Sequence, residues 1–164
     1  MIAPSAVHAA AKRMENENLK FRAFLKNHAD AGELDRQFLK LHHELFSGYD
    51  CCKCNNCCRA YRTVLTEDEI DSIAALIGVA RQEFVKQHLV QGSGGYELKA
   101  PCPFLEADGK CRIQERKPAE CKGFPYTDQP ERMESLLGVI AFAEKCPVVF
   151  EIIERLKVIY RFRQ

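Results

Sequence analysis

Apolar side chains recur at helical spacing through residues 5–46, where Leu19, Phe21, Phe24 and Leu25 form one set and Leu34, Phe38, Leu41 and Leu45 a second. The polar stretch NHADAG at 27–32 separates them. This pattern predicts two antiparallel helices, an N-terminal helical hairpin extension over residues 1–48. Thr66 and Glu69 then stand at the spacing of a capping box, and Ile70, Ile73, Ala74 and Ile77 share one face before Gly78 ends the run. A short helix over 81–89 should bury Phe84, Val85 and Leu89. QGSGG at 91–95 reads as a flexible break, whereas 96–113 alternates and turns at Asp108-Gly109, which predicts an antiparallel hairpin there. The segment 115–126 is too rich in Pro and Gly for more than one helical turn. From Pro130 onward an apolar run leaves helix and strand open by period; Asp128 as a cap and Pro130 in the first turn favour helix. The last segment, 146–162, places Val149, Ile152, Ile153, Leu156 and Ile159 on one face of an amphipathic helix. The expected class is α+β, a small and mostly helical domain with a short hairpin, in which residues 49–164 carry cysteine-rich loops.

Charge narrows the function classes. The 164 residues hold 24 basic and 23 acidic side chains, a net +1, and the aromatics are not interleaved with Lys or Arg. A nucleic-acid partner is therefore not expected. The first residues lack the basic and apolar regions of a secretory signal, and LLGVIAFA is far shorter than the ~18 apolar residues of a membrane span. A cytoplasmic location and no membrane association are expected. In that reducing compartment an odd count of nine cysteines suits metal ions better than disulfides.

The cysteine spacing carries most of the chemistry. Cys51, Cys54, Cys57 and Cys58 form C-x2-C-x2-C-C, and Cys102, Cys111, Cys121 and Cys146 follow singly. A two-residue gap lets two sulfurs reach one metal at ~2.3 Å. Adjacent Cys57 and Cys58 do not readily both join Cys51 and Cys54 around one tetrahedral ion, so remote cysteines should close the site as the chain folds. Three cysteines at C-x2-C-x2-C with a distant fourth beside proline tilt the expectation toward a 4Fe-4S iron–sulfur cluster, with zinc left open.

Basic residues crowd the cysteines: Lys53, Arg59, Lys110, Arg112, Lys122 and Lys145 are direct neighbours, against Asp50 and Glu120. Cations beside thiols lower their pKa and offset the negative charge of a thiolate site. If Asp108-Gly109 is a two-residue turn, Cys111 lies opposite Glu106, and roughly 13 Å of strand separates that position from Cys102. The two would then serve different sites. Tyr61, Phe104, Phe124 and Tyr126 fall near the cysteines and either shield a metal site or pack in the core.

CCKCNNCCRAYRTVLTEDEI, CPFLEADGKCRI, ERKPAECKGFP and KCPVV together resemble the CxxCxxCC cysteine-cluster family, a zinc- or iron-chelating domain that includes YkgJ-like proteins and flagellin lysine N-methylase. The resemblance runs from about Tyr49 to Val149. It implies metal ligation by Cys51, Cys54, Cys57, Cys58, Cys102, Cys111, Cys121 and Cys146, enough thiols for two four-ligand sites, and leaves Cys52 outside the pattern. Asn55 stands where the family usually has Gly, a residue that tolerates left-handed backbone. Lys117-Pro118 replaces an Arg-Pro pair, keeping the charge and losing the planar fork.

Other candidates read more simply. His42, His43 and His88 sit outside the cysteine motifs, and His8 and His28 have no spacing that suggests ligation. Glu67, Asp68 and Glu69 suit the first turn of a helix. No local signature pairs a cysteine with a histidine for nucleophilic catalysis. The leading expectation is a metal-binding protein with a structural or redox role. The alternatives are a methyltransferase-related enzyme, against which stands the lack of a Gly-rich loop for an adenosyl cofactor, and a zinc-stabilised adaptor whose N-terminal helices recruit a protein partner.

Overall fold

The computed structural model describes residues 1–163. Its helices and strands are α1 (Val7–Arg13), α2 (Glu15–His28), α3 (Ala31–Phe46), α4 (Cys51–Cys54), α5 (Asn56–Ala60), α6 (Glu67–Ile77), α7 (Arg81–His88), β1 (Leu89–Gly92), β2 (Gly95–Leu98), α8 (Ala119–Gly123), α9 (Arg132–Ala143) and α10 (Pro147–Ile159). Among the described residues the protein is mostly helical with one antiparallel two-stranded hairpin, an α+β domain. Among the described residues no helix is long and apolar enough to cross a membrane. The chain forms two units, Met1–Asp50 with Pro125–Gln164, and Cys51–Phe124.

The first unit is a helix bundle in which α2 and α3 pack on α9, and α3 on α10. The two expected N-terminal helices are three, because the backbone leaves helical geometry at Met14 between α1 and α2. Asp30 caps α3 through the Glu33 N–H at 2.8 Å, which accounts for the break after α2. Phe21, Leu25, Phe38, Leu136, Val139, Ile153 and Leu156 are buried, so the apolar faces of α2 and α3 are covered within the unit. Leu19 and Ile159, expected to face inward, are about two-fifths exposed.

The start of α9 differs from the sequence reading. Its cap position is Glu131, in left-handed backbone, rather than Asp128. The first N–H groups are satisfied from another helix: Asp35 accepts from Glu131 N–H at 2.9 Å and from Arg132 N–H at 2.8 Å. A carboxylate at a helix N-terminus satisfies both the unpaired donors and the dipole.

The second unit is built on α6, α7 and the hairpin, with Leu65, Ile70, Ile73, Phe84, Leu89, Leu98, Phe104 and Ile113 buried together. The capping box of Thr66 and Glu69 forms, and Gly78 closes α6 with φ +74. The hairpin, however, lies at the expected flexible break. Leu89 pairs with Leu98 and Gly92 with Gly95, leaving Ser93-Gly94 as the two-residue turn. Gly95 takes φ +121, a conformation that glycine adopts without steric cost. Residues 63–65 run beside β2, with Leu65 N–H donating to Tyr96 carbonyl at 2.9 Å and Leu98 N–H to Thr63 carbonyl at 2.8 Å.

Candidate metal centre

Two short helical turns, not a loop, carry the cysteine run. α4 holds Cys51 and Cys54, α5 holds Cys57 and Cys58, and Asn55 between them is left-handed at φ 56 and ψ 9. Asn55 is buried, and its amide donates to the Cys52 carbonyl at 2.6 Å. Asn55 thus makes the left-handed corner and adds a side-chain strut.

The Asp108-Gly109 segment docks on that corner. Leu105 pairs with Cys111, Glu106 N–H donates to Lys110 carbonyl at 2.9 Å, and Gly109 N–H to Glu106 carbonyl at 3.0 Å. The loop is therefore one residue longer than the expected two-residue turn, and Cys111 faces Leu105 rather than Glu106. Nor does an extended strand carry Cys102 away from Cys111. The chain turns there, with Leu105 N–H donating to Cys102 carbonyl at 3.2 Å, while Cys102 N–H donates to Cys58 carbonyl at 2.7 Å. Burial raises the pKa of Cys102, and the charges of Cys58 and Cys111 add to the rise.

Cys121 arrives on α8, whose position is set by carboxylates. Glu69 Oε1 accepts from Ala119 N–H at 2.7 Å while its other oxygen accepts from Thr66 N–H at 3.0 Å. Glu120 Oε2 accepts from Val64 N–H at 2.9 Å, and Thr63 Oγ1 lies 3.0 Å from Cys121 Sγ. The acidic first turn of α6 is accordingly a capping device that also anchors a cysteine helix.

Cys57, Cys58, Cys102 and Cys121 line one cavity of about 40 Å³, together with Thr63, Lys117, Tyr61 and Phe124. The Tyr61 and Phe124 rings stand 5.1 Å apart. Among the described residues no carboxylate or imidazole lines the cavity. Soft sulfur donors without a carboxylate beside them suit zinc or iron–sulfur chemistry. The donors are gathered but not closed around a point: among the described residues no three His, Cys, Asp or Glu side chains already stand in a coordinating arrangement. The chemistry of the set, thiols beside a cation, fits a thiolate-bound metal. All nine cysteines are thiols rather than half-cystines.

The thiols differ in acidity. A hydrogen bond from Cys57, then the charges of Lys117 and Arg59 and a backbone N–H, bring Cys58 down to about 6 against the opposing effect of burial. Burial pushes Cys121 up to about 11, although the contact with Thr63 and the charge of Lys117 pull the other way. Burial likewise raises Cys102 and Cys111. Lys117 is therefore a shared cation for Cys58, Cys111 and Cys121. Of the flanking cations, Arg59 acts on Cys58, whereas Lys110 pairs with Asp108 at 3.1 Å and Arg112 lies over the Phe104 ring at 5.3 Å.

The remaining candidates separate. Cys51, Cys54 and Cys111 do not line the cavity. Cys146 belongs to the other unit, where it is buried at the start of α10. Phe104 is a core residue, its ring 6.1 Å from Phe84 and 5.1 Å from His88, and Tyr126 packs near Phe142 in the bundle. His42 Nδ1 lies 2.9 Å from Thr127 Oγ1 and its ring packs on Phe46. Thr63 and Glu120 went unrecognised in the sequence because each acts on a residue more than fifty positions away.

Residues 50–147 match the family model CxxCxxCC, described as a "putative zinc- or iron-chelating domain". The chain belongs to this family. The CxxCxxCC match spans more than half of the chain and takes in all eight cysteines that the resemblance marked as ligands. No curated protein and no solved structure matches it.

Proposed function

We propose that this CxxCxxCC protein is a cytoplasmic metal-binding protein that holds zinc or an iron–sulfur cluster, with Cys57, Cys58, Cys102 and Cys121 as its central donors. The observation that carries this reading is the cavity itself, where four thiols from three separate chain segments face one space without a carboxylate or imidazole. Cys51, Cys54 and Cys111, of the same unit, complete the proposed donor set. A bound zinc ion would cross-link the segments structurally, and an iron–sulfur cluster would add one-electron redox chemistry.

The chain's own groups suit either occupant. Cys58 is poised to donate as a thiolate, Lys117 and Arg59 offset the accumulating negative charge, and Tyr61 and Phe124 line the same cavity. The C-x2-C-x2-C run favours the cluster.

The test is elemental analysis with an acid-labile sulfide assay on protein purified without oxygen. Iron with matching sulfide and a brown colour supports the cluster; colourless protein with stoichiometric zinc supports the zinc form. Protein that carries neither metal, after expression with both supplied, overturns the reading.

A further inference from the structure

Thr63 is 3% exposed, and a buried hydroxyl without a partner costs free energy. Its backbone carbonyl is already occupied by Leu98 N–H. Its hydroxyl oxygen lies 3.0 Å from Cys121 Sγ. The next residue adds a second link to the same helix, with Val64 N–H donating to Glu120 Oε2 at 2.9 Å. The pairs 63–64 and 120–121 are thus joined twice, and both Thr63 and Cys121 line the thiol cavity.

We propose that Thr63 is a positioning residue of the metal centre, its hydroxyl aiming the Cys121 sulfur and supporting that sulfur as a ligand. The inference rests on the metal-binding reading above. A ligating thiolate has no hydrogen, so the hydroxyl must be the donor, and a donor to a ligand sulfur both fixes its direction and stabilises its charge. The strand-like pairing of 63–65 with β2 keeps Thr63 in place, so the hydrogen bond is anchored in the hairpin rather than in the cysteine segments. A valine fills the same volume and lacks the donor, which separates this role from packing.

The experiment uses the full chain with Zn(II) and Co(II) as probes. Zinc affinity is measured by competition with a chromophoric chelator, and the thiolate-to-cobalt charge-transfer band reports the sulfur ligands directly. T63V is expected to weaken zinc binding about 10- to 100-fold and to shift or diminish the charge-transfer band, whereas T63S stays close to the wild type. If T63V does not fold, T63A carries the same expectation. Wild-type affinity and spectrum in the hydroxyl-free variant overturn the proposal, as does equal weakening in T63V and T63S, which would assign the effect to packing. Wild-type protein that takes up neither ion, and that carries no iron with sulfide when purified without oxygen, overturns instead the metal-binding reading on which the proposal stands.

Discussion

Gly109 passes so close to Cys52 that a Cβ at position 109 would lie 2.0 Å from the Cys52 carbonyl oxygen. The same glycine has φ +88, and the Asn55 amide that braces this carbonyl would be 2.7 Å from the added carbon. The approach seats the 106–110 loop on the corner between α4 and α5, two residues before Cys111. G109A should therefore destabilise the protein by about 1–3 kcal/mol from left-handed backbone alone, with the collision against backbone adding to it. Urea unfolding of the metal-free protein measures this. A loss below about 0.5 kcal/mol, the range of ordinary surface substitutions, would show that the loop does not dock.

Glu69 serves two helix starts, accepting from Thr66 at α6 and from Ala119 at α8. E69A removes both bonds and should cost about 1–2 kcal/mol, more than a single cap of the same kind. E69Q retains acceptor capacity and should recover part of it. The comparison is made by chemical denaturation; an E69A protein as stable as wild type would mean that α8 is held by other contacts.

The metal-free protein should have a pH-dependent stability set by its thiols. Cys58 lies at about 6 when folded, below the ordinary 9.0, so its ionisation adds stability as pH rises from about 6 toward 9. Acidification through 6 removes that contribution. Cys121 lies at about 11, above the ordinary 9.0, so its contribution is present below pH 9 and is lost as pH climbs toward 11. Cys102 and Cys111, also raised, add to the loss on the alkaline side. Melting temperature against pH should peak near 9. Alkylation of Cys58, followed by mass spectrometry, should reach its half-maximal rate near pH 6, and K117M should move that midpoint upward because it removes a cation that favours the thiolate.

Cysteine variants divide the ligands from the bystander. C58S and C121S should each lose most of the bound metal, because each removes a thiol that lines the cavity. C52A should keep the wild-type metal content, as the Cys52 backbone carbonyl rather than its sulfur braces Asn55. Metal-to-protein ratios by elemental analysis decide between them. Loss of metal in C52A equal to that in C58S would place the extra cysteine among the donors.

Sequence spacing carried the local elements well. The capping box at Thr66 and Glu69, the stop at Gly78, the inward faces of α3 and α10 and the left-handed corner at Asn55 depend on residues a few positions apart. So did the donor chemistry, since thiols at C-x2-C-x2-C-C in a chain of balanced charge already point to a metal. Other features were misplaced for a definite reason. Asp108-Gly109 carries a strong turn signal, and a tight loop does form there, but it closes against Cys52 and Asn55 instead of joining two strands. Ser93-Gly94 became the hairpin turn because Leu89 and Leu98 are both buried in the same core.

By itself the sequence determined the longer helices α3, α6, α7 and α10 and that cysteines are the candidate donors, because helix period, capping and side-chain type act within a few residues. Only the tertiary structure decided that Asp35 caps α9, that Cys57, Cys58, Cys102 and Cys121 share a cavity, and that Thr63 meets Cys121. Each of those contacts joins residues dozens of positions apart, and such pairs are selected by packing of the whole unit rather than by anything written in the neighbouring residues.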